Sequence, residues 1–165
     1  MPSGGASPSA SCLAGFGHPS NVTKCNQGRV TFADVTPLDL STLLAGLRQE
    51  GGDSSGVEVK SALGGLPATI GQSICALANR PGGGVVILGL DERADFAAVG
   101  LADLQALKQG LASRARMCEP PVVLEIEQAM VDGAPVVLAR VSECNASAKP
   151  CRFQGRGWLR EWASP

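Results

Sequence analysis

The sequence predicts an α+β domain built on a mixed β-sheet with two to three packed helices. Three observations carry that prediction. Leucine and isoleucine recur at spacings of three and four in separate stretches, the mark of helices with one apolar face. Short valine-rich runs lie between and after these stretches, bounded by turn residues. Asp132-Gly133 joins two such runs in the manner of a two-residue hairpin turn. Composition agrees, since 44% of the 165 residues are hydrophobic and 18% charged, a balance that forms a core and excludes disorder throughout.

In chain order, fifteen of the first twenty residues are Gly, Ser, Pro or Ala. Such a stretch buries too little apolar surface to order itself, so 1–33 reads as a flexible leader ahead of a single domain over 34–165. Thr36-Pro37 then resembles an N-cap with Pro at the first helical position. Leu40, Leu43, Leu44 and Leu47 continue that helix to Gly51-Gly52. Gly56 to Ser61 alternates Val57 and Val59 with Glu58 and Lys60, a short strand with one polar face. Pro67 is expected to open a second helix carrying Ile70, Ile74 and Leu77 on one stripe, closed by Pro81-Gly82-Gly83-Gly84. Val85 to Leu88 is a buried strand. Residues 101–117 form a third helix, with Leu104, Leu107 and Leu111 on its apolar face and Arg114 and Arg116 where the dipole favours cations. Val122 to Met130 and Pro135 to Val141 flank the hairpin turn, and a further hairpin is expected around Gly155-Arg156-Gly157.

Several function classes are disfavoured from composition alone. The longest apolar runs are far shorter than the ~20 residues of a membrane helix, so no membrane partner is expected. The six cysteines contain no C-x-x-C pair and the one histidine, His18, lies in the leader; zinc of the Cys/His kind is not indicated, and reduced thiols of a cytoplasmic protein are. Net charge is -1, so attraction to a phosphate backbone must be local rather than molecule-wide.

Three separated segments are distinctive: Gly56-Val57-Glu58-Val59-Lys60, Ile70 through Asn79, and Gly82 through Asp91. With Val99-Gly100-Leu101 and Gly157-Trp158-Leu159-Arg160, they resemble the Schlafen AlbA-like domain, or AlbA type 2. That family has an E-F-K strand, a helix ending in A-F-A-N, a G-G turn, a strand ending in G-V-D, and a terminal Y-x-R strand. The resemblance covers about 50 to 162. Val59 and Leu77 replace family phenylalanines, exchanges that keep a core position apolar, and Glu92 stands where many members have a second Asp. The resemblance implies a DNA- or RNA-binding domain. In bacteria and archaea it is often part of longer proteins described as transcriptional regulators or ATP-binding proteins.

The resemblance also implies an alternative. Some relatives are RNA endonucleases using three carboxylates, whose positions fall here on Asp53, Glu58 and Asp91. Glu58 and Asp91 would then ligate Mg²⁺ or Mn²⁺, hard cations suited to oxygen donors; no cofactor is expected otherwise. Against catalysis, Glu58 is placed to pair with Lys60, and Asp91 to cap a turn.

For binding, Lys149, Arg152, Arg156 and Arg160 are the only charged residues from Ala146 to Arg160, and Phe153 and Trp158 interleave with them. Cations track phosphate while aromatic faces stack on unpaired bases. Lys60 is a further phosphate candidate. Trp158 has an equal claim to filling the core. Asn79 is expected to cap its helix, or else to bond the carboxylates. The Gly82-Gly83-Gly84 run follows a helix and precedes a strand, the reverse of a phosphate loop, so a tight turn is expected over an amide nest. A third reading is a protein-interaction or homo-oligomerisation domain using exposed sheet edges.

Overall fold

The computed structural model describes residues 37–50 and 56–159; the leader called over 1–33 lies outside them, as do Asp53 and Arg160. Helix α1 (Pro37–Glu50) comes first and buries Leu40, Leu44 and Leu47. Strand β1 (Val57–Lys60), helix α2 (Ile70–Asn79) and strand β2 (Gly84–Leu88) form a unit in which β1 and β2 run parallel. The two-residue strands β3 (Leu90–Asp91) and β4 (Ala97–Ala98) pair with each other. Helix α3 (Leu104–Arg116) leads into β5 (Cys118–Glu119), then β6 (Leu124–Val131) and β7 (Ala134–Val141) make the long hairpin. Strands β8 (Arg152–Phe153) and β9 (Arg156–Gly157) close the described chain.

The main sheet has the order β1-β2-β7-β6, parallel at its first pair and antiparallel thereafter, so the sheet is mixed and the fold α+β. Alternation along each strand divides the core in two. Val57, Val59, Val85, Ile87, Val136 and Leu138 pack with α1 and Phe96. Val86, Leu88, Val137, Ala139 and Val141 pack with α2 and α3. Every residue of β2 is buried because helices cover both faces of the sheet, which is why its sequence is a continuous apolar run rather than an alternating one.

The long hairpin turns at Asp132 and Gly133, both at positive φ (49° and 79°), as a type I′ turn requires. Two helices begin later than their apolar patterns suggest. Pro67 belongs to a turn whose carbonyl accepts from Ile70 N–H at 3.1 Å, and Asp103 caps α3 by accepting from Ala106 N–H at 2.8 Å. The last hairpin turns at Gln154-Gly155, again with both φ positive (54° and 74°), one residue ahead of the expected site. No described helix is long and apolar enough to cross a membrane.

Candidate nucleic-acid interface

The alternation that sends Val57 and Val59 to α1 sends Glu58 and Lys60 toward α2. Glu58 is only 7% exposed, and a carboxylate that deep needs partners. It accepts from Ser73 Oγ of α2 at 3.0 Å and pairs with Lys60 Nζ at 2.8 Å. Lys60 is thus placed as the counter-charge of Glu58. Ser73 was invisible as a site residue in the sequence, where it is one small polar position beside the apolar stripe of Ile70, Ile74 and Leu77.

Glu58 and Ser73 border a hollow of about 150 Å³, completed by Gln72, Ala76, Trp158 and Leu159. Trp158 is half-buried and packs against the core beneath α2 and α3. Its indole Nε1 is the one buried side-chain nitrogen or oxygen among the described residues that lacks a hydrogen-bond partner. Core packing and an unmet polar group therefore coexist in one side chain.

What brings Trp158 to α2 is Asn79, at the end of that helix. Its Nδ2 donates to the carbonyl oxygens of Cys151 and Trp158, both at 2.9 Å, and its Oδ1 accepts from Cys151 N–H at 2.6 Å. Asn79 fastens the C-terminal segment rather than the carboxylates. A second contact reinforces it: Gly71 lies against the Phe153 ring so closely that a Cβ there would overlap it.

The C-terminal cations are not equivalent. Lys149 Nζ meets Glu143 Oε1 at 2.6 Å, and Glu143 Oε2 accepts from Gly82 N–H at 2.7 Å. The lysine hydrogen bond, then the amide, hold the Glu143 carboxyl below its usual range. The glycine turn thus directs an amide at an internal carboxylate, and Gly82 and Gly83 sit at positive φ (79° and 69°) as a tight turn needs. Arg152 and Arg156 are exposed and make no ion pair among the described residues. The register sets Arg152 opposite Gly157 and Phe153 opposite Arg156, so the two arginines project from opposite faces of the ribbon. Arg152 also lies across from Glu119. Arg156 shares its face with Phe153, the face turned to α2.

Asp91 Oδ1 accepts from Arg93 N–H at 3.0 Å, capping a short 3₁₀ turn. Among the described residues no three His, Cys, Asp or Glu side chains come together to hold a metal ion. Asp53 is outside them, and the two described acids serve a helix contact and a turn. Cys75, Cys118, Cys144 and Cys151 are free and buried. Burial first, then the neighbouring Cys75, pushes the Cys118 thiol up to about 11.

A family model described as Schlafen, AlbA_2 matches residues 53–164. Among solved structures, the chain is similar to the N-terminal domain of an ATP-dependent DNA helicase RecG-related protein from Nitrosomonas europaea. That match has 26% identity and a TM-score of 0.55, covering 75% of this chain and 89% of that one. The DIP2311 protein from Corynebacterium diphtheriae shares the fold at 19% identity and a TM-score of 0.52, over 74% of this chain and 27% of that one. No curated protein matches the chain.

Proposed function

Since this chain belongs to the Schlafen AlbA_2 family, we propose that it is a nucleic-acid-binding module which holds a single strand, DNA by preference, along its C-terminal hairpin. The observation that carries the proposal is the fastening of that hairpin to α2 by Asn79, which sets the exposed Arg156 two residues from a half-buried Trp158 at the rim of a hollow. Cation and aromatic side by side on a rigid support are what single-strand binding uses, the first for phosphate and the second for a base. The name of the Nitrosomonas europaea protein, a DNA helicase relative, supports DNA. Base-specific readout of a duplex has no support, because no described helix presents an Arg- and Asn-rich face.

With a net charge of -1, binding is weak and salt-sensitive. A footprint of two or three phosphates gives a slope of log K against log salt of roughly -1.4 to -2.1; Arg156→Ala, on the Trp158 side of the ribbon, reduces its magnitude by about 0.7, whereas Arg152→Ala, on the other face, leaves it unchanged. Fluorescence anisotropy with a labelled single-stranded oligonucleotide at several salt concentrations reads both quantities. Absence of binding at low salt would remove the proposal.

A further inference from the structure

At the turn from α2 into β2 two donors converge on one carboxylate. Glu143 Oε2 accepts from Gly82 N–H at 2.7 Å, and Oε1 meets Lys149 Nζ at 2.6 Å. Neither donor depends on Glu143 for its position. Gly83 N–H donates to the Arg80 carbonyl at 3.0 Å and Arg80 Nη1 to the Gly83 carbonyl at 3.2 Å, which sets the turn. Lys149 stands two residues before Cys151, whose N–H and carbonyl are held by Asn79. The Glu143 side chain is 39% exposed, and the chain beside it is anchored separately, by Cys144 N–H on the Ala78 carbonyl at 2.8 Å. An ion pair this open to solvent contributes little to folding, so the side chain is free to be replaced. Its carboxyl lies below the usual range, because the place it occupies favours negative charge.

Resting on the nucleic-acid reading above, we infer that Gly82 N–H and Lys149 Nζ form a phosphate site in which Glu143 is an internal stand-in, an autoinhibitory contact that withholds one phosphate contact from the bound strand. A carboxylate and a phosphodiester both present two anionic oxygens on one atom, so donors arranged for the first also suit the second. A backbone amide at a turn of positive φ is a recurrent anion donor, and Gly82 has that conformation. Nothing lies within 4 Å of where a Cβ on Gly82 would stand, which leaves that side of the turn open. Lys149 and Arg156 belong to the one segment that Asn79 fastens, so a single strand supplies the phosphates for both. While Glu143 is in place it neutralises the lysine and repels an approaching phosphate, and the strand is left with Arg156.

The test follows a labelled single-stranded oligonucleotide by anisotropy at several salt concentrations. Glu143→Gln keeps an acceptor for Gly82 N–H and removes the charge. It is expected to bind about three- to tenfold more tightly at low salt, with a slope of log K against log salt steeper by about 0.7, the mark of one further phosphate. Glu143→Ala, which empties the place as well, gains at least as much. Glu92→Gln makes the same change in net charge beyond the opposite end of β2 and is expected to leave the slope as it is in the parent. Lys149→Met has little effect in the parent, where Glu143 already engages the lysine, and cancels the gain of Glu143→Gln. Such non-additivity is not produced by a general change of charge. A thermal melt verifies that each variant is folded. No gain in Glu143→Gln, an equal gain in Glu92→Gln, or a gain that survives Lys149→Met overturns the phosphate site while the nucleic-acid reading stands. Failure of the parent to bind at low salt overturns both.

Discussion

Both ends of the Asn79 amide are engaged, with two donor hydrogens on carbonyls and an oxygen on a backbone N–H. Removing that side chain leaves the N–H of Cys151 and the carbonyl of Trp158 without their partner, while the carbonyl of Cys151 keeps the Cys75 thiol at 3.1 Å. Each orphaned buried group costs roughly 1–3 kcal/mol, offset where water reaches it. Asn79→Ala is therefore expected to lower stability by about 2–4 kcal/mol, measured by urea denaturation, and to release the hairpin, measured as a red shift of Trp158 emission in the Trp162→Phe background. A loss under about 0.5 kcal/mol would show that the hairpin is held by other contacts. The residue stood out in the sequence as the end of a motif helix, but its partners lie 72 and 79 positions away. A helix-end asparagine reads locally as a cap, and no neighbouring residue signals a clamp.

At the level of elements, the β8–β9 ribbon has only two paired positions and is too short to stand alone in water. It depends on pairing with β5 and on Phe153, which is 2% exposed and packs on Gly71 of α2. Gly71→Ala would force that ring aside. We expect a loss of about 1–3 kcal/mol, typical of overpacking, with faster amide hydrogen exchange at Phe153 and Arg156 than in the long β6–β7 hairpin. Unchanged exchange there would mean that Phe153 does not anchor the ribbon. The long elements announced themselves in sequence through repeated apolar positions, and the type I′ turn through Asp132-Gly133. Strands of two residues contain no period to recognise, so β3, β4 and β5 emerged only in the fold, and the last turn was placed one residue late.

For the whole molecule, a near-zero net charge leaves pH dependence to a few groups. Glu143 is held below its usual range by Lys149 and Gly82; its contribution is present above the ordinary carboxylate value and is lost as pH falls through the lowered one. Cys118 is shifted the other way, from 9.0 to about 11. Its contribution is complete below pH 9 and disappears as pH rises through 11, because only the unfolded chain ionises freely in that interval. The burial of Cys151 acts in the same sense. The melting temperature should thus fall between pH 9 and 11 under reducing conditions, less steeply in Cys118→Ala than in the parent. Equal alkaline slopes in both would assign the loss to other groups. The same burial keeps these thiols protonated and slow toward alkylating reagents until the chain unfolds.

The α+β class, the three apolar helices, the long hairpin and the glycine turn were determined by the sequence alone. Periodicity and positive-φ demands are properties of contiguous residues and need no tertiary information. Tertiary structure alone decided that Glu143 takes up Lys149, that Ser73 joins Lys60 on Glu58, that Arg152 and Arg156 face apart, and that Trp158 closes a hollow with its N–H unmet among the described residues. Each of these depends on which distant segments pack together and on the register at which they meet. Charge and burial are set by those neighbours, and a side chain's identity does not specify them.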